Sequence, residues 1–444
     1  MIRRTRLEPI HRDPSKTGLH LSCDRCGLRV DFGPWLFGCP RCAEDGIVNV
    51  LEVIDHQINH PRPPSRRRGT GLTRYKDLLS VGRGREWVSL GEGDTPLVAS
   101  RVVGPRLGLS RLYFKNETVN PTWSFKDRYV AVTVNMARAL GYRRAVVSST
   151  GNLGVSAAAY CAVAGLSCLF LAPPDTAGPL LSQARLHGAE VVRTSSDGRQ
   201  VVLEHLARHR GWFPIALFLP RPVHNPFGIE GYRTIGYELV NELGAAPAAM
   251  LFPCARGNGL YGAWKGFRDA QRWGWAKDVP AMVACQPAGA NSLEVSLQRG
   301  TADAVELPPA ASIAASTCET VADRHALEAI RASGGAGLSA TDEEIVQAMA
   351  DLGREGLCVE PSSALVVACL PRWLALARPP GDASIVCLLT ATGTRWPTEL
   401  ARWDSRQAWI EPTPDAVDHY LDARGFSDED LPAPAGGQSW LPEH

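Results

Sequence analysis

Apolar and polar positions alternate along the chain in a pattern that switches period. From about Leu112 onward, short apolar or β-branched runs are followed by stretches with helical spacing. Residues 145–147 read as a strand, 154–164 as a helix closed by Gly165, and 167–171 as a second strand ending at Pro173-Pro174. Residues 177–187 then read as a helix and 190–193 as a third strand. The pattern resumes with a strand at 249–252, a glycine-rich turn, a helix at 260–270 and a strand at 281–285. Helices at 342–352 and 362–376 and a last strand at 384–389, with Thr390 at its C-terminal edge, complete it. Strands separated by amphipathic helices predict parallel sheets wrapped by helices, hence an α/β fold with two such units. After Trp396 the sequence turns to Pro, Asp and Trp and reads as an irregular tail, mobile at 432–437.

Composition narrows the class. A chain of 444 residues exceeds what one core usually fills, so several domains are expected. With 45% hydrophobic and 21% charged residues it is neither disordered nor fibrous. A net charge of +1 argues against nucleic acid or an acidic membrane surface as partner, and the basic run Arg62, Arg66, Arg67 and Arg68 reads as a solvated linker over 61–69. No run approaches the roughly 18 to 20 apolar residues that cross a bilayer, so a soluble cytoplasmic protein is expected.

Eight of the twelve cysteines, from Cys161 to Cys387, sit in apolar surroundings like small core residues. Cys23, Cys26, Cys39 and Cys42 differ: two Cys-x-x-Cys pairs, twelve residues apart, match the ligand spacing of a tetrahedral zinc ribbon. Four reduced structural thiols are the alternative. Because such ribbons often bind nucleic acid, a non-catalytic zinc-ribbon regulator stays open as a different class of function.

Four further signals carry chemistry. In Asn120-Pro121-Thr122-Trp123-Ser124-Phe125-Lys126-Asp127-Arg128, Ser124 and Asp127 have capping-box spacing, which predicts a helix to Gly141 with Lys126 in its first turn. The positive end of a helix dipole disfavours an ammonium there and so favours a neutral, imine-forming amine. Ser148-Ser149-Thr150-Gly151-Asn152 is a strand-to-helix turn suited to a carboxylate. Gly257-Asn258-Gly259-Leu260-Tyr261-Gly262 is a second such turn, able to wrap a phosphate with backbone amides. It also fits the dinucleotide fingerprint of an NAD-dependent dehydrogenase, but the next strand ends at Cys285-Gln286 without the carboxylate that ribose recognition needs. Thr390-Ala391-Thr392-Gly393-Thr394 places a hydroxyl at a strand end.

In this order, the motifs resemble the threonine synthase branch of fold type II pyridoxal-phosphate enzymes over about 89–395. Gly91-Glu92-Gly93-Asp94-Thr95-Pro96-Leu97 is similar to the family's entry motif, Glu230-Gly231-Tyr232-Arg233-Thr234 and Val359-Glu360-Pro361-Ser362-Ser363-Ala364 to two others. The cysteine ribbon also occurs in some relatives. The resemblance implies two doubly wound three-layer domains: a large cofactor-binding one at 70–127 and 236–400 and a smaller mobile one at 128–235. A zinc-ribbon extension at 1–60 and a tail at 401–444 flank them. It further implies that Lys126 holds pyridoxal phosphate as a Schiff base and that Arg256, Gly257, Asn258 and Gly259 take the cofactor phosphate. Asn152 would face the ring oxygen and Thr390 the ring nitrogen, with Ser149, Thr150, Gly151, Asn152 and Trp123 at the substrate. The implied reaction is elimination and replacement on a small amino acid, O-phosphohomoserine to threonine or a related conversion, in a homodimer. A serine/threonine dehydratase or a cysteine or cysteate synthase-like β-replacement are the alternatives. Four positions depart from the pattern: Trp123 where most relatives have glycine, Gly228 where threonine synthases place an arginine, and Ala255-Arg256 in place of Gly-Asn.

Overall fold

The computed structural model describes residues 19–55, 58, 61–63, 69–80, 86–218, 222–406 and 409–425. The arginines at 66–68 and the tail at 432–437 lie outside them. Contacts divide the chain into residues 1–397 and 398–444. The second unit carries the helix Pro414–Asp422, capped by Thr413, whose side chain accepts from the Ala416 N–H.

Within the first unit, the N-terminal strands β1 (Leu19–Ser22), β2 (Arg29–Asp31) and β3 (Glu52–Asp55) form an antiparallel sheet in the order β2-β1-β3. The largest sheet joins β4 (Leu97–Ala99), β5 (Leu112–Asn116), β12 (Ala249–Pro253), β13 (Ala281–Pro287), β14 (Ala336–Ala340) and β15 (Ile385–Leu389) in the order β14-β13-β12-β15-β5-β4. All its pairs are parallel except β4 with β5. A second, fully parallel sheet runs β8-β7-β6-β9, made of β6 (Arg144–Ser148), β7 (Ser167–Ala172), β8 (Glu190–Arg193) and β9 (Phe213–Pro214). A hairpin of β10 (Ala216–Phe218) and β11 (Pro222–His224) follows it. Every residue of β12 and β15 is buried, as expected of central strands covered on both faces. No helix among the described residues is long and apolar enough to cross a membrane.

The helices named below are α1 (Lys126–Ala139), α2 (Asn152–Ala164), α3 (Gly228–Leu243), α4 (Asn258–Arg272), α5 (Arg324–Ala332) and α6 (Pro361–Ala377). The start of α1 differs from the capping box that its sequence predicts. Phe125, with helical dihedrals, occupies the cap position, and Ser124 Oγ accepts only weakly from the Lys126 N–H at 3.3 Å. Asp127 points elsewhere, accepting from the Thr122 N–H and from Ser156 Oγ, each at 2.6 Å. Its carboxylate therefore fastens α1 to the preceding loop and to α2. The backbone of this corner is held instead by β15, since the Phe125 N–H donates to the Thr390 carbonyl at 2.8 Å.

Two residues beyond Lys126, Arg128 is fully buried and knots the unit together. Its guanidinium donates to Glu117 (2.7 and 2.8 Å), to Glu238 on α3 (2.6 and 2.8 Å), to Thr234 (2.9 Å) and to Thr95 (3.2 Å). Glu238 also accepts from the Asp94 N–H and pairs with Lys115 at 3.0 Å. Beside it α1 and α3 pass in backbone contact: a Cβ on Gly231 would stand 2.0 Å from the Arg128 carbonyl oxygen.

Removing the guanidinium takes the cationic partner from the buried Glu117 and leaves Glu238 with Lys115, and breaking such a buried pair typically costs about 3–5 kcal/mol. Arg128→Met is therefore expected to lose about that much in urea denaturation, and a loss below about 1 kcal/mol would contradict the role given to the knot.

Candidate active site

A cavity of about 190 Å³ opens where the C-terminal ends of β6, β12 and β15 converge. Ser149, Thr150 and Asn152 line it after β6, Arg256, Gly257, Asn258 and Gly259 after β12, and Thr390 after β15, with Lys126 from the first turn of α1. Positions as far apart in sequence as Lys126 and Thr390 thus share one cavity, because strand ends of parallel sheets face the same way.

Lys126 is half-buried, its Nζ lying 4.3 Å from the centre of the Phe125 ring. Burial pushes the amine down to about 8, against the opposing charges of Glu360, Cys254 and Glu319. The amine so lowered has a far larger neutral fraction near neutrality than an ordinary lysine, which suits it to act as a nucleophile.

At the turn into α4, Gly257 adopts φ of +88° and leaves no space for a side chain, since a Cβ would stand 2.3 Å from Ala326 Cβ. A Cβ on Gly259 would meet the Phe252 ring at 2.6 Å. The backbone is thereby bared at a helix N-terminus, the arrangement that receives phosphate groups. Asn258 Oδ1 is buried there without a hydrogen-bond partner. Arg256 pairs with Glu319 at 3.0 Å and lies 3.8 Å from Asp323.

Asn152 is clamped: its Nδ2 donates to Glu360 Oε2 at 2.8 Å, and its Oδ1 accepts from Arg395 at 3.1 Å. Glu360 accepts also from the Trp396 indole at 3.0 Å, and burial raises its carboxyl above the usual range. Burial lowers the Arg395 guanidinium to about 10. The Thr390 hydroxyl lies 2.7 Å from Ser363 Oγ, which also accepts from the N–H groups of Thr390 and Ala391.

Two expected substrate contacts are placed differently. Gly151 opens α2 but is not in the cavity wall, and Trp123 is 48% exposed and faces away from it. The Trp123 backbone takes φ of +59°, a glycine-favoured conformation, while the indole lies under the Arg395 guanidinium at 5.0 Å. The large ring is thus accommodated outside and does not narrow the pocket. Sequence reading missed Glu319, Arg199 and His224, which also line the cavity. They arrive from a loop, a helix and a hairpin, and no local pattern marks them. His224 Nδ1 is bonded to Asp323 at 2.7 Å, and Arg199 donates to Ser148 Oγ at 3.2 Å. Apart from this cavity, the sulfurs of Cys23, Cys26, Cys39 and Cys42 all lie within 4.8 Å of one another, with Cys23 to Cys42 at 3.7 Å and Cys26 to Cys39 at 3.5 Å.

The family model described as "Pyridoxal-phosphate dependent enzyme" matches residues 88–391, which span every cavity-lining segment named above. The chain belongs to this pyridoxal-phosphate dependent enzyme family. It is 32% identical over 396 residues to the threonine synthase of Methanocaldococcus jannaschii, covering 88% of this chain and 96% of that one. To the threonine synthase of Methanosarcina acetivorans it is 33% identical, with 84% and 91% covered. The protein is thus a threonine synthase-like, pyridoxal-phosphate-dependent lyase of fold type II. Solved structures sharing the fold include a threonine deaminase isoform from Solanum lycopersicum (TM-score 0.59, 21% identity, 69% of this chain and 86% of that one). A fungal L-serine ammonia-lyase from Rhizomucor miehei is another (TM-score 0.59, 22% identity, 70% and 98%). The dehydrogenase reading falls with the family, and β13 ends on Gln286-Pro287 without a carboxylate.

In this pyridoxal-phosphate enzyme Gly228 has no room to grow. A Cβ there would stand 2.4 Å from the Tyr129 ring and 2.6 Å from Thr133 Oγ1. Gly228→Arg is accordingly expected to overpack the α1–α3 contact and cost about 1–3 kcal/mol or more. A lowered thermal midpoint without gain of phosphate-ester affinity is the expected result, and a stable variant with tighter binding would show that the pocket accepts the arginine.

Proposed function

We propose that Lys126 binds pyridoxal phosphate covalently and that the enzyme catalyses elimination and replacement on an amino acid whose side chain carries an anionic or hydroxyl leaving group. The observation that supports this most directly is the half-buried lysine with its amine lowered to about 8, in one cavity with a side-chain-free glycine turn. The residues present fit the cofactor: an amine for its aldehyde, bared backbone amides at 257–259 for a phosphate, and a hydroxyl at Thr390 that could hydrogen-bond a ring nitrogen. When bound, the cofactor supplies an electron sink for the carbanion at the amino acid's α-carbon.

The chain's own groups do the rest. With the cofactor held, Lys126 Nζ would take the α-proton, and burial, by lowering the amine to about 8, enlarges its neutral fraction for that task. Ser149, Thr150 and Asn152 hold the substrate carboxylate at the N-terminus of α2. Asn152 is pre-oriented by Glu360 and Arg395, so little ordering accompanies binding. Arg199 and Arg256 offer the wall's guanidinium groups to an anionic side chain, beside the carboxylates of Glu319 and Glu360, and O-phosphohomoserine is the first substrate to test. We further propose zinc at Cys23, Cys26, Cys39 and Cys42. Zn–S bonds of about 2.3 Å put tetrahedral sulfurs about 3.8 Å apart, near the spacings present.

Incubation with O-phosphohomoserine, O-phosphoserine, O-acetylserine, serine and threonine is expected to release phosphate from a phosphate ester, and release only from uncharged substrates would remove the anionic class. Because only the neutral amine attacks an aldehyde, the rate of cofactor attachment should rise with pH through about 8. A visible absorbance band that forms at the same rate at pH 6 and pH 9, or a borohydride adduct on another residue, would refute the role of Lys126. Metal analysis should return about one zinc per chain, reduced to nearly none in Cys39→Ser.

A further inference from the structure

The four cysteines and the cofactor turn are connected by a single helical turn. Asn49 Nδ2 reaches both Cys23 Sγ (3.2 Å) and Asp24 Oδ1 (2.6 Å). The Asp24 carboxylate, next in sequence to Cys23, lies 3.2 Å from His325 Nε2 and 3.3 Å from Arg324 Nε, both in the first turn of α5. A parallel tie runs from Arg25 to Asp303 at 2.6 Å, and Arg324 lies 3.7 Å from the same carboxylate. The opposite side of that turn touches the pocket. The Asp323 N–H donates to the Arg256 carbonyl at 2.9 Å, and Ala326 Cβ fills the space that a Gly257 side chain would need. The His325 ring lies 4.8 Å from that of Tyr261 on α4. Residues 323–326 therefore meet the cysteine module through the side chains of Arg324 and His325 and the cofactor turn through the Asp323 N–H and the Ala326 methyl.

We infer that Asp24 and His325 are positioning residues through which the four-cysteine module sets the 255–259 turn, so that a metal at the cysteines and pyridoxal phosphate in the pocket strengthen each other's binding. The inference rests on the cofactor and zinc readings above. Its physical basis is that the contact is dry: the His325 side chain is 3% exposed and that of Asp24 13%, so the attraction is little screened. Metal ligation cross-links the 23–26 and 39–42 knuckles and fixes where Asp24 stands. Thermodynamic linkage then requires the effect to be reciprocal.

The test is a titration of cofactor-free protein with pyridoxal phosphate, followed by its visible band, before and after zinc is removed with a chelator. Zinc removal is expected to weaken affinity about tenfold in the wild type. Asp24→Asn, with zinc retained, should show the same weakening, and chelation should then add nothing. Circular dichroism checks that the chelated protein stays folded; should it unfold, the zinc-loaded Asp24→Asn titration decides. An affinity unchanged by chelation, an Asp24→Asn protein that binds as tightly as wild type, or equal chelation effects in both proteins would overturn the inference. Borohydride trapping at saturating cofactor separates the two readings. An adduct on Lys126 with zinc-independent affinity sinks only this inference, whereas no adduct at all sinks the cofactor assignment itself.

Discussion

The buried guanidinium of Arg128 is the constraint on which the site depends. It draws together the loop carrying Asp94 and Thr95, the end of β5 at Glu117, the lysine helix α1 and helix α3 at Thr234 and Glu238. Burial alone would raise the Glu238 carboxyl, but Arg128 and Lys115 pull it down to about 2, so the network stays charged across ordinary pH. Charges buried this deeply are tolerated only when fully hydrogen-bonded, and that requirement fixes the orientation of α1 tightly. Since Lys126 lies half a turn before Arg128, the same network sets where the amine stands.

Around that amine the protein uses low polarity and fixed dipoles together. Burial lowers the basicity of Lys126, and the turns at 149–152 and 257–259 present backbone amides rather than mobile cations. The Glu360–Asn152–Arg395 chain holds the amide side chain from both ends. The segment 359–364 supplies two such supports: Glu360 steadies Asn152, and Ser363 ties Thr390 to α6.

The departures from the family pattern become intelligible as geometry. Trp123 keeps a backbone conformation natural to glycine and turns its ring outward beneath Arg395, so the large ring stays out of the cavity. Gly228 is enforced by Tyr129, which fills the space a longer side chain would need. Positive charge reaches the cavity from Arg199 and Arg256 on other elements.

Much of this protein was legible along the chain. Period changes in hydrophobicity located the strands and helices, because side-chain burial in a parallel sheet and on a helix face repeats at fixed spacing. Backbone needs announced the glycine turn, and the paired cysteines announced a cluster, since both are short-range demands that few residue types meet. The capping of α1 is not legible in this way: Ser124 and Asp127 have the right spacing, but Asp127 finds better partners in Thr122 and Ser156, the latter brought near only by folding. The same limit hid Arg199, His224, Glu319 and the path from Cys23 to Gly257. These groups lie far apart in sequence and acquire meaning through contacts between elements, which periodicity does not encode. The sequence determined which elements form and what chemistry they carry; tertiary packing decided which side chains face the cavity, because burial and pairing of charge are settled only once the sheets and helices have met.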